Sequence, residues 1–188
     1  MFTDTEKPWI EAGYRIFAYK GPDALKVELL AREVGISKSS FYHHFADLNI
    51  FTDKLTSLHI HKAEIIAAEA KLCQKFDPDF ILLLMSNKED LLFNRQLRIH
   101  RNNIAFQLCF ERANFLVEDS VIDLWAAAIG LSHRKHIARN VFRVMSELFY
   151  QRLTPDTITY EWMHQFLSSI YVFLNDIIRS SGVMGESE

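Results

Sequence analysis

Residues 25–45 read LKVELLAREVGISKSSFYHHF, and this stretch decides the fold of the N-terminal part of the chain. Apolar residues recur at helical spacing over about residues 26–34, which predicts a short amphipathic helix. Gly35 ends that helix, because glycine readily adopts the left-handed conformation of a helix terminus. Ser37 stands where the N-cap of a second short helix belongs, and we predict that this helix extends through about residue 44.

Two further residues fit a close crossing of these two helices. Ala31 is small enough for the second helix to pass near it, and Ile36 is expected to fill the angle between them. Two short helices joined by such a turn form a helix-turn-helix, whose second helix can enter the major groove of DNA. The pattern therefore predicts a nucleic-acid-binding motif.

Helices are predicted on both sides of this motif. A first helix covers about residues 4–20 and ends at Gly21-Pro22, and Asp47 is a candidate N-cap for a long helix to about residue 75. The chain of 188 residues has only four prolines and six glycines, which favours helix throughout. Further helices are predicted over about residues 78–99, 103–129, 137–153 and 162–178.

These elements define an all-α fold class with two domains. The N-terminal three-helix helix-turn-helix DNA-binding domain is placed at residues 1–47, and the helix over 47–75 links it to the rest. Residues 48–180 are predicted to form a helical domain for dimerisation and effector binding. We expect residues 181–188 to be a disordered tail, because they are small, polar and terminal.

The last two predicted helices have unusually wide apolar faces. Apolar side chains cover about half of each helix, whereas a surface helix needs a stripe of only about 100°. Each helix therefore covers two neighbours, which are either the domain core and a second subunit or two partners within the same chain. The candidate dimer-interface residues are Phe142, Met145, Phe149, Trp162, Phe166, Ile170, Phe173 and Ile177.

The middle helices combine many aromatic residues with a few scattered polar ones. An apolar cavity with a few orienting polar groups is typical of small-molecule sites, so we predict a small apolar or aromatic effector. An aromatic core without any cavity would have the same composition, and the sequence leaves both alternatives open. The candidate ligand-binding residues are Phe93, His100, Phe106, Gln107, Phe110, Trp125, Phe142 and Phe149.

The N-terminal part resembles the TetR family of one-component regulators. The resemblance is carried by GPDALKVELLA at 21–31, the turn GISK at 35–38 and the ending SFYHHF at 40–45. It implies a homodimer, most often a repressor, that binds a pseudo-palindromic operator in double-stranded DNA. It also implies that Phe41 and Phe45 belong to the core. The residues it assigns to DNA contacts are Lys26, Ser37, Lys38, Ser39, Ser40, Tyr42, His43 and His44.

The sequence departs from the family pattern where the family carries DNA-contacting groups. Lys26 stands where a hydroxyl residue often caps the second helix, and Leu48 stands where a lysine commonly holds the DNA backbone. The net charge is −3, and acidic side chains slightly outnumber basic ones in residues 1–55. Few counterions would then be released on binding, so the salt dependence of DNA binding should be shallow. An alternative function is therefore a helical protein-interaction module that has lost DNA binding.

Other function classes find little support in the sequence. It has no phosphate-binding glycine loop, nucleophile elbow or zinc-protease motif, so we expect no enzyme, no cofactor and no metal. The adjacent His43 and His44 point about 100° apart on a helix, which does not suit a shared metal ion. The apolar run at 80–85 is too short to span a membrane, and no signal peptide is visible. A cytoplasmic protein without a membrane partner is predicted, with Cys73 and Cys109 reduced.

Overall fold

A computed structural model describes residues 2–180, except for the side chains of residues 175 and 177–180. Within this range the chain forms nine α-helices and no β-strand, which confirms the predicted all-α fold class. The helices are α1 (Lys7–Lys20), α2 (Val27–Val34), α3 (Lys38–His44), α4 (Leu48–Ala70), α5 (Ile81–Ser86), α6 (Lys88–Ile99), α7 (Ile104–Ala128), α8 (Lys135–Arg152) and α9 (Tyr160–Ser180). The predicted disordered tail, residues 181–188, lies outside the described residues.

The predicted helix over residues 78–99 was wrong, because this segment is divided into several elements. Asp77 has extended backbone dihedrals (φ −120°, ψ 122°), as expected for a residue that precedes a proline. A kinked turn over Phe76–Phe80 leads into α5, and α6 begins only after Asn87, whose backbone is not helical. The Asn87 side chain donates to the Leu83 carbonyl at 2.8 Å and so completes the end of α5. The linking helix α4 also ends at Ala70, short of residue 75.

The helices α1 to α4 pack around one aromatic cluster. Trp9 of α1 meets the Phe41 ring edge-on, with 5.5 Å between ring centroids, and Phe51 of α4 contacts Phe41 and Phe45. Gly13 allows α1 and α4 to approach, since a Cβ atom there would lie 2.4 Å from the Phe51 ring. Asp47 caps α4 as predicted, and its Oδ1 accepts from the backbone N–H groups of Asn49 at 2.7 Å and Ile50 at 2.9 Å.

The hydrophobic core continues from α1 into the C-terminal helices. Phe93 of α6 stacks between Tyr14 and Phe17 of α1, with ring centroids 4.3 and 4.1 Å apart. The helix α7 packs along α4 and α8, and α9 packs against α5. Because α1 contacts α2 as well as α6, the helix-turn-helix rests directly on the C-terminal helices. None of the described helices is both long and apolar enough to cross a membrane.

Candidate DNA interface and ligand cavity

The turn between α2 and α3 has the geometry that its glycine predicts. Gly35 adopts the left-handed conformation (φ 75°, ψ 22°), which favours glycine. Its backbone N–H donates to the Ala31 carbonyl at 2.9 Å, and the Ile36 N–H donates to the same oxygen at 3.2 Å. These bonds satisfy the end of α2 and direct the chain into α3.

Two predictions about the turn were wrong. The Ser37 hydroxyl does not cap α3, because it lies 2.9 Å from the Ser39 hydroxyl and accepts from no backbone N–H of the helix. The Ile36 side chain is 41% exposed and does not fill the angle between the helices. The fully buried residues of the two helices are instead Leu30 and Phe41, which lie on the helices themselves and so reach the core more directly.

The helix α3 has a buried side and an outward side. Phe41 and Phe45 are buried in the aromatic cluster, as the resemblance implied. Tyr42 is 57% exposed, and its ring stands edge-on to Phe41 at 5.5 Å. Tyr42 therefore contacts the core with its ring and is otherwise largely exposed, which suits a contact to a DNA phosphate.

Six of the eight predicted DNA contacts are exposed, and four of these belong to α3. Ser40 and His44 are half-buried. A backbone hydrogen bond holds Ser40 in place, since its N–H donates to the Ser37 carbonyl at 3.0 Å. The remaining predicted contacts are exposed, and they are Lys26, Ser37, Lys38, Ser39, Tyr42 and His43.

A carboxylate that the sequence did not single out neutralises the one lysine of α3. Lys38 Nζ donates to Glu28 Oε1 of α2 at 2.7 Å, and both side chains are exposed. This hydrogen bond lowers the pKa of the Glu28 carboxyl below its ordinary value. The contact spans the turn, so its only sequence signal is an acidic residue on the polar face of α2. The predicted contact of Lys38 with DNA would require this lysine to share or leave Glu28.

A cavity of about 100 Å³ lies among α5, α7, α8 and α9. Its wall is mostly apolar and rich in aromatic rings, and three polar side chains, Asn114, Ser146 and Tyr150, also reach it. Prediction from sequence missed all three, because an isolated polar residue within an apolar helix resembles an ordinary surface position until its neighbours are known. We call this space the aromatic chamber, and its six aromatic rings besides Tyr150 are Phe76, Phe80, Trp125, Phe142, Phe149 and Phe166.

The structure does not gather the eight predicted ligand-binding residues at one place. Trp125, Phe142 and Phe149 line the aromatic chamber, and Phe110 lines a neighbouring groove between α7 and α8 together with Phe142. His100 and Phe106 border a polar cleft beside residues 22–25 and 48–53. Of the remaining two, Phe93 lies in the stack with α1, and Gln107 donates to Glu111 at 2.9 Å.

The predicted dimer-interface residues divide into two groups. Phe142, Met145, Phe149, Phe166 and Ile170 line the aromatic chamber, so they face the inside of the chain. Trp162 is half-buried and stacks on Phe166 at 5.5 Å, Phe173 is 60% exposed, and the side chain of Ile177 lies outside the described residues. Other exposed apolar side chains on α8 and α9 are Val144, Leu148 and Val172.

The arrangement of α1 to α4 is that of a helix-turn-helix DNA-binding domain. Residues 10–47 match the sequence model of a family described as bacterial regulatory proteins, tetR family. The chain therefore carries the DNA-binding domain of the TetR family, which confirms the resemblance, and it is a DNA-binding transcriptional regulator. No curated protein matches the chain. Among residues 2–180 no group of three or more His, Cys, Asp or Glu side chains is arranged to hold a metal ion.

Proposed function

We propose that this regulator is a repressor that binds a pseudo-palindromic operator as a homodimer and is released by a small apolar ligand. The observation that carries the proposal is the two-sided helix α3, with Phe41 buried and Lys38, Tyr42 and His43 directed outward. A helix anchored in this way presents a rigid set of side chains to the major groove. A cytoplasmic location accompanies this proposal, because the operator is genomic DNA.

Exposed apolar surface on α8 and α9 supports the homodimer. Val144, Val172 and Phe173 are about 60% exposed, while the opposite sides of the same helices line the aromatic chamber. A second copy that packs on these side chains forms a four-helix interface with two-fold symmetry. Two helix-turn-helix domains related by such an axis would match two half-sites of an operator.

The aromatic chamber supports release by a ligand. It lies among helices that pack on α4 and α6, and these helices contact α1 of the DNA-binding domain. A ligand that binds one arrangement of these helices more tightly than another shifts the population toward that arrangement. We infer that the ligand-bound arrangement separates the two reading helices by a distance that no longer fits the operator.

The experiment that tests operator binding selects bound fragments from a random double-stranded DNA library at low salt and sequences them. We expect a motif with two-fold symmetry. Lys38→Ala and Tyr42→Phe should then weaken binding to that motif, by roughly 1–3 kcal/mol for a side chain that contacts a base and less for a phosphate contact. Unchanged binding in both variants contradicts the assignment of α3 as the recognition helix.

Two exposed residues away from α3 provide matched controls. Tyr19→Phe removes the hydroxyl of a tyrosine that is 44% exposed on α1. Lys71→Ala removes an exposed lysine at the far end of α4, which has 23 residues and is roughly 35 Å long. Both controls should bind the selected motif as the parent protein does.

The low positive charge favours a second candidate function, a module that binds protein partners and no longer DNA. The net charge of −3 and the pairing of Lys38 with Glu28 motivate it. The same selection distinguishes the two functions, because a folded dimer that enriches no fragment at low salt supports the protein-binding module.

A further inference from the structure

The aromatic chamber adjoins a smaller polar pocket. This pocket has a volume of about 40 Å³, and polar side chains from four helices reach it: His59, Asp90, Asn94, Asn114 and Tyr150. Asn114 and Tyr150 line both spaces and so form the boundary between them. A molecule in the chamber therefore has an aromatic environment around its body and a polar group within reach at one end.

The size of the chamber favours a ligand with a single ring. Pockets for drug-sized molecules have volumes of roughly 300–1,000 Å³, whereas an apolar cavity of about 150 Å³ is enough to bind benzene. The chamber, at about 100 Å³, is close to the second value. Aromatic rings on its wall favour an aromatic ligand, since offset or edge-to-face ring pairs add stabilisation beyond the buried area.

The polar end of the chamber offers both a hydrogen-bond donor and an acceptor. Asn94 Nδ2 donates to Asn114 Oδ1 at 2.9 Å, which leaves the amide nitrogen of Asn114 without a hydrogen-bond partner among the side chains that the structure describes. The Ser146 hydroxyl likewise has no hydrogen-bond partner within the described part of the chain. A ligand hydroxyl accepts from the amide and donates to a serine oxygen, so it satisfies both groups at once.

No charged side chain described near this end is free to pair with an ionic ligand. In the neighbouring groove, which Asn114 and Ser146 also line, Glu118 already accepts from Arg139 and Arg143. No side chain on the chamber wall carries a formal charge. Behind the wall, Asp90 accepts from the Tyr14 hydroxyl at 2.6 Å and lies 3.1 Å from Lys62 Nζ, so neither the carboxylate nor the lysine is available. Burial lowers the pKa of His59 to about 4, which keeps that ring neutral at pH 7. A buried carboxylate or ammonium group on the ligand would lack a counter-charge and would cost several kcal/mol or more.

We propose that the aromatic chamber binds a neutral phenol with one ring, the ring among the aromatic side chains and the hydroxyl at Asn114 and Ser146. This inference rests on the proposed function, because it names the chemical class of the effector for the same cavity. Burial raises the pKa of Tyr150 to about 12, so its neutral hydroxyl adds a third polar group at the same end.

The hydroxyl of such a ligand lies at the start of a buried polar chain that leads to α1. Asn94 links Asn114 to His59, whose Nε2 lies 3.2 Å from Asn94 Oδ1, and His59 Nδ1 lies 2.7 Å from the Tyr14 hydroxyl. Tyr14 belongs to α1 of the DNA-binding domain. A ligand that reorients the Asn114 amide therefore acts on groups that connect directly to the DNA-binding domain.

The test compares three single-ring probes with the full-length protein by titration calorimetry. The probes are p-cresol, toluene, which lacks the hydroxyl, and benzoate, which carries a charge. We expect p-cresol to bind at least about fivefold more tightly than toluene, because one satisfied hydrogen bond contributes about 1 kcal/mol, and we expect no binding of benzoate. Trp125 on the chamber wall provides a second readout through its fluorescence.

Variants locate the binding site and control for folding. Ser146→Ala and Asn114→Leu should each reduce the affinity for p-cresol toward that for toluene, because each removes one of the two hydrogen bonds, and Ser146→Ala should leave toluene binding unchanged. Asn102→Leu, at an exposed asparagine in the loop before α7, should change neither affinity. If Asn114→Leu does not fold, the milder Ser146→Ala still tests the prediction, since it removes only one hydroxyl.

The outcomes separate this inference from the proposed function. Equal affinities for p-cresol and toluene, tighter binding of benzoate, or no binding of any probe would each overturn the phenol assignment. Retardation of the selected operator is measured in parallel without any probe. A protein that binds its operator but no phenol leaves the regulator intact and removes only the phenol inference.

Discussion

Glu28 controls how much positive charge the recognition helix can offer to DNA. Its carboxylate pairs with Lys38 Nζ at 2.7 Å, so the free protein presents α3 as nearly neutral. In the proposed complex, a DNA phosphate would compete with Glu28 for the same ammonium group. An exposed ion pair of this kind is weak, so it reduces the affinity for DNA without abolishing it.

We predict that Glu28→Gln strengthens DNA binding and makes its salt dependence steeper by about one released counterion. Fluorescence anisotropy with the selected operator at several salt concentrations measures both quantities. Glu33→Gln removes a second exposed carboxylate of α2 that has no hydrogen bond or ion pair with any described residue, so it controls for general charge. If both variants change binding equally, or if Lys38→Ala does not cancel the gain, the specific role of the Glu28–Lys38 pair is refuted.

His59 makes the stability of the protein depend on pH. It is 3% exposed, and burial lowers its pKa to about 4 in the folded protein, against an ordinary value of 6.5. The unfolded chain therefore takes up a proton at a higher pH than the folded one. The contribution of the neutral ring is fully present above about pH 6.5 and is lost as the pH falls toward 4, on the order of 3 kcal/mol in total.

We predict that His59→Gln flattens the decrease in the free energy of unfolding between pH 6.5 and 4, as measured by urea denaturation. His61→Gln, two residues along α4 with a side chain that is 68% exposed, is the matched control and should retain the decrease. Glu6 does not account for this decrease. Its pKa is lowered to about 2, mainly by the hydrogen bond from Lys54, so its contribution to the free energy of unfolding is lost only below about pH 4.5. An unchanged slope in His59→Gln would show that the ring is not the group responsible.

At the level of the helices, the approach of α1 to α4 depends on Gly13. Alanine normally favours a helix over glycine by up to about 1 kcal/mol, so the substitution should stabilise an isolated helix. Here the added Cβ would lie 2.4 Å from the Phe51 ring, and that ring is fully buried and cannot move aside. Packing therefore makes this substitution destabilising, although helix propensity alone predicts that it stabilises the protein.

We predict that Gly13→Ala destabilises the protein by about 1–3 kcal/mol, as expected for an overpacked core. The double variant Gly13→Ala, Phe51→Leu should recover part of this loss, relative to Phe51→Leu alone, because the smaller side chain makes room for the methyl group. Chemical denaturation of all four proteins gives the coupling free energy between the two sites. Additive effects would show that the two residues do not contact each other.

At the level of the whole molecule, the proposed homodimer would let two α3 helices bind DNA together. Phe173 is 60% exposed on α9, next to Val172, which is 61% exposed. Isolated exposed apolar residues are common, but a group of them on the last two helices fits the surface that we propose a second copy covers.

We predict that Phe173→Glu shifts the protein from dimer to monomer in analytical ultracentrifugation and greatly weakens binding to the full operator. A single half-site should still bind weakly, because α3 is unchanged. Leu72→Glu, at a leucine that is 77% exposed after α4, is the control and should remain dimeric. A dimeric Phe173→Glu would place the interface elsewhere on the molecule.

The sequence by itself determined the fold class, the helix-turn-helix and its family. These features depend on interactions between residues close in the chain, such as the left-handed Gly35 after α2 and the two capping bonds to Asp47. The alternation of buried Phe41 with exposed Tyr42 is also local, since helical geometry alone puts them on different sides.

Only the tertiary structure decided where the distant partners meet. The aromatic composition of the middle helices was evident from the sequence, but it did not distinguish Phe93, stacked against α1, from Trp125 in the chamber wall. The sequence also did not indicate the pairing of Lys38 with Glu28 or the series of hydrogen bonds from Asn114 to Tyr14. The physical reason is that helical periodicity specifies which face of a helix is apolar, whereas the packing of all helices together determines which residues share a space.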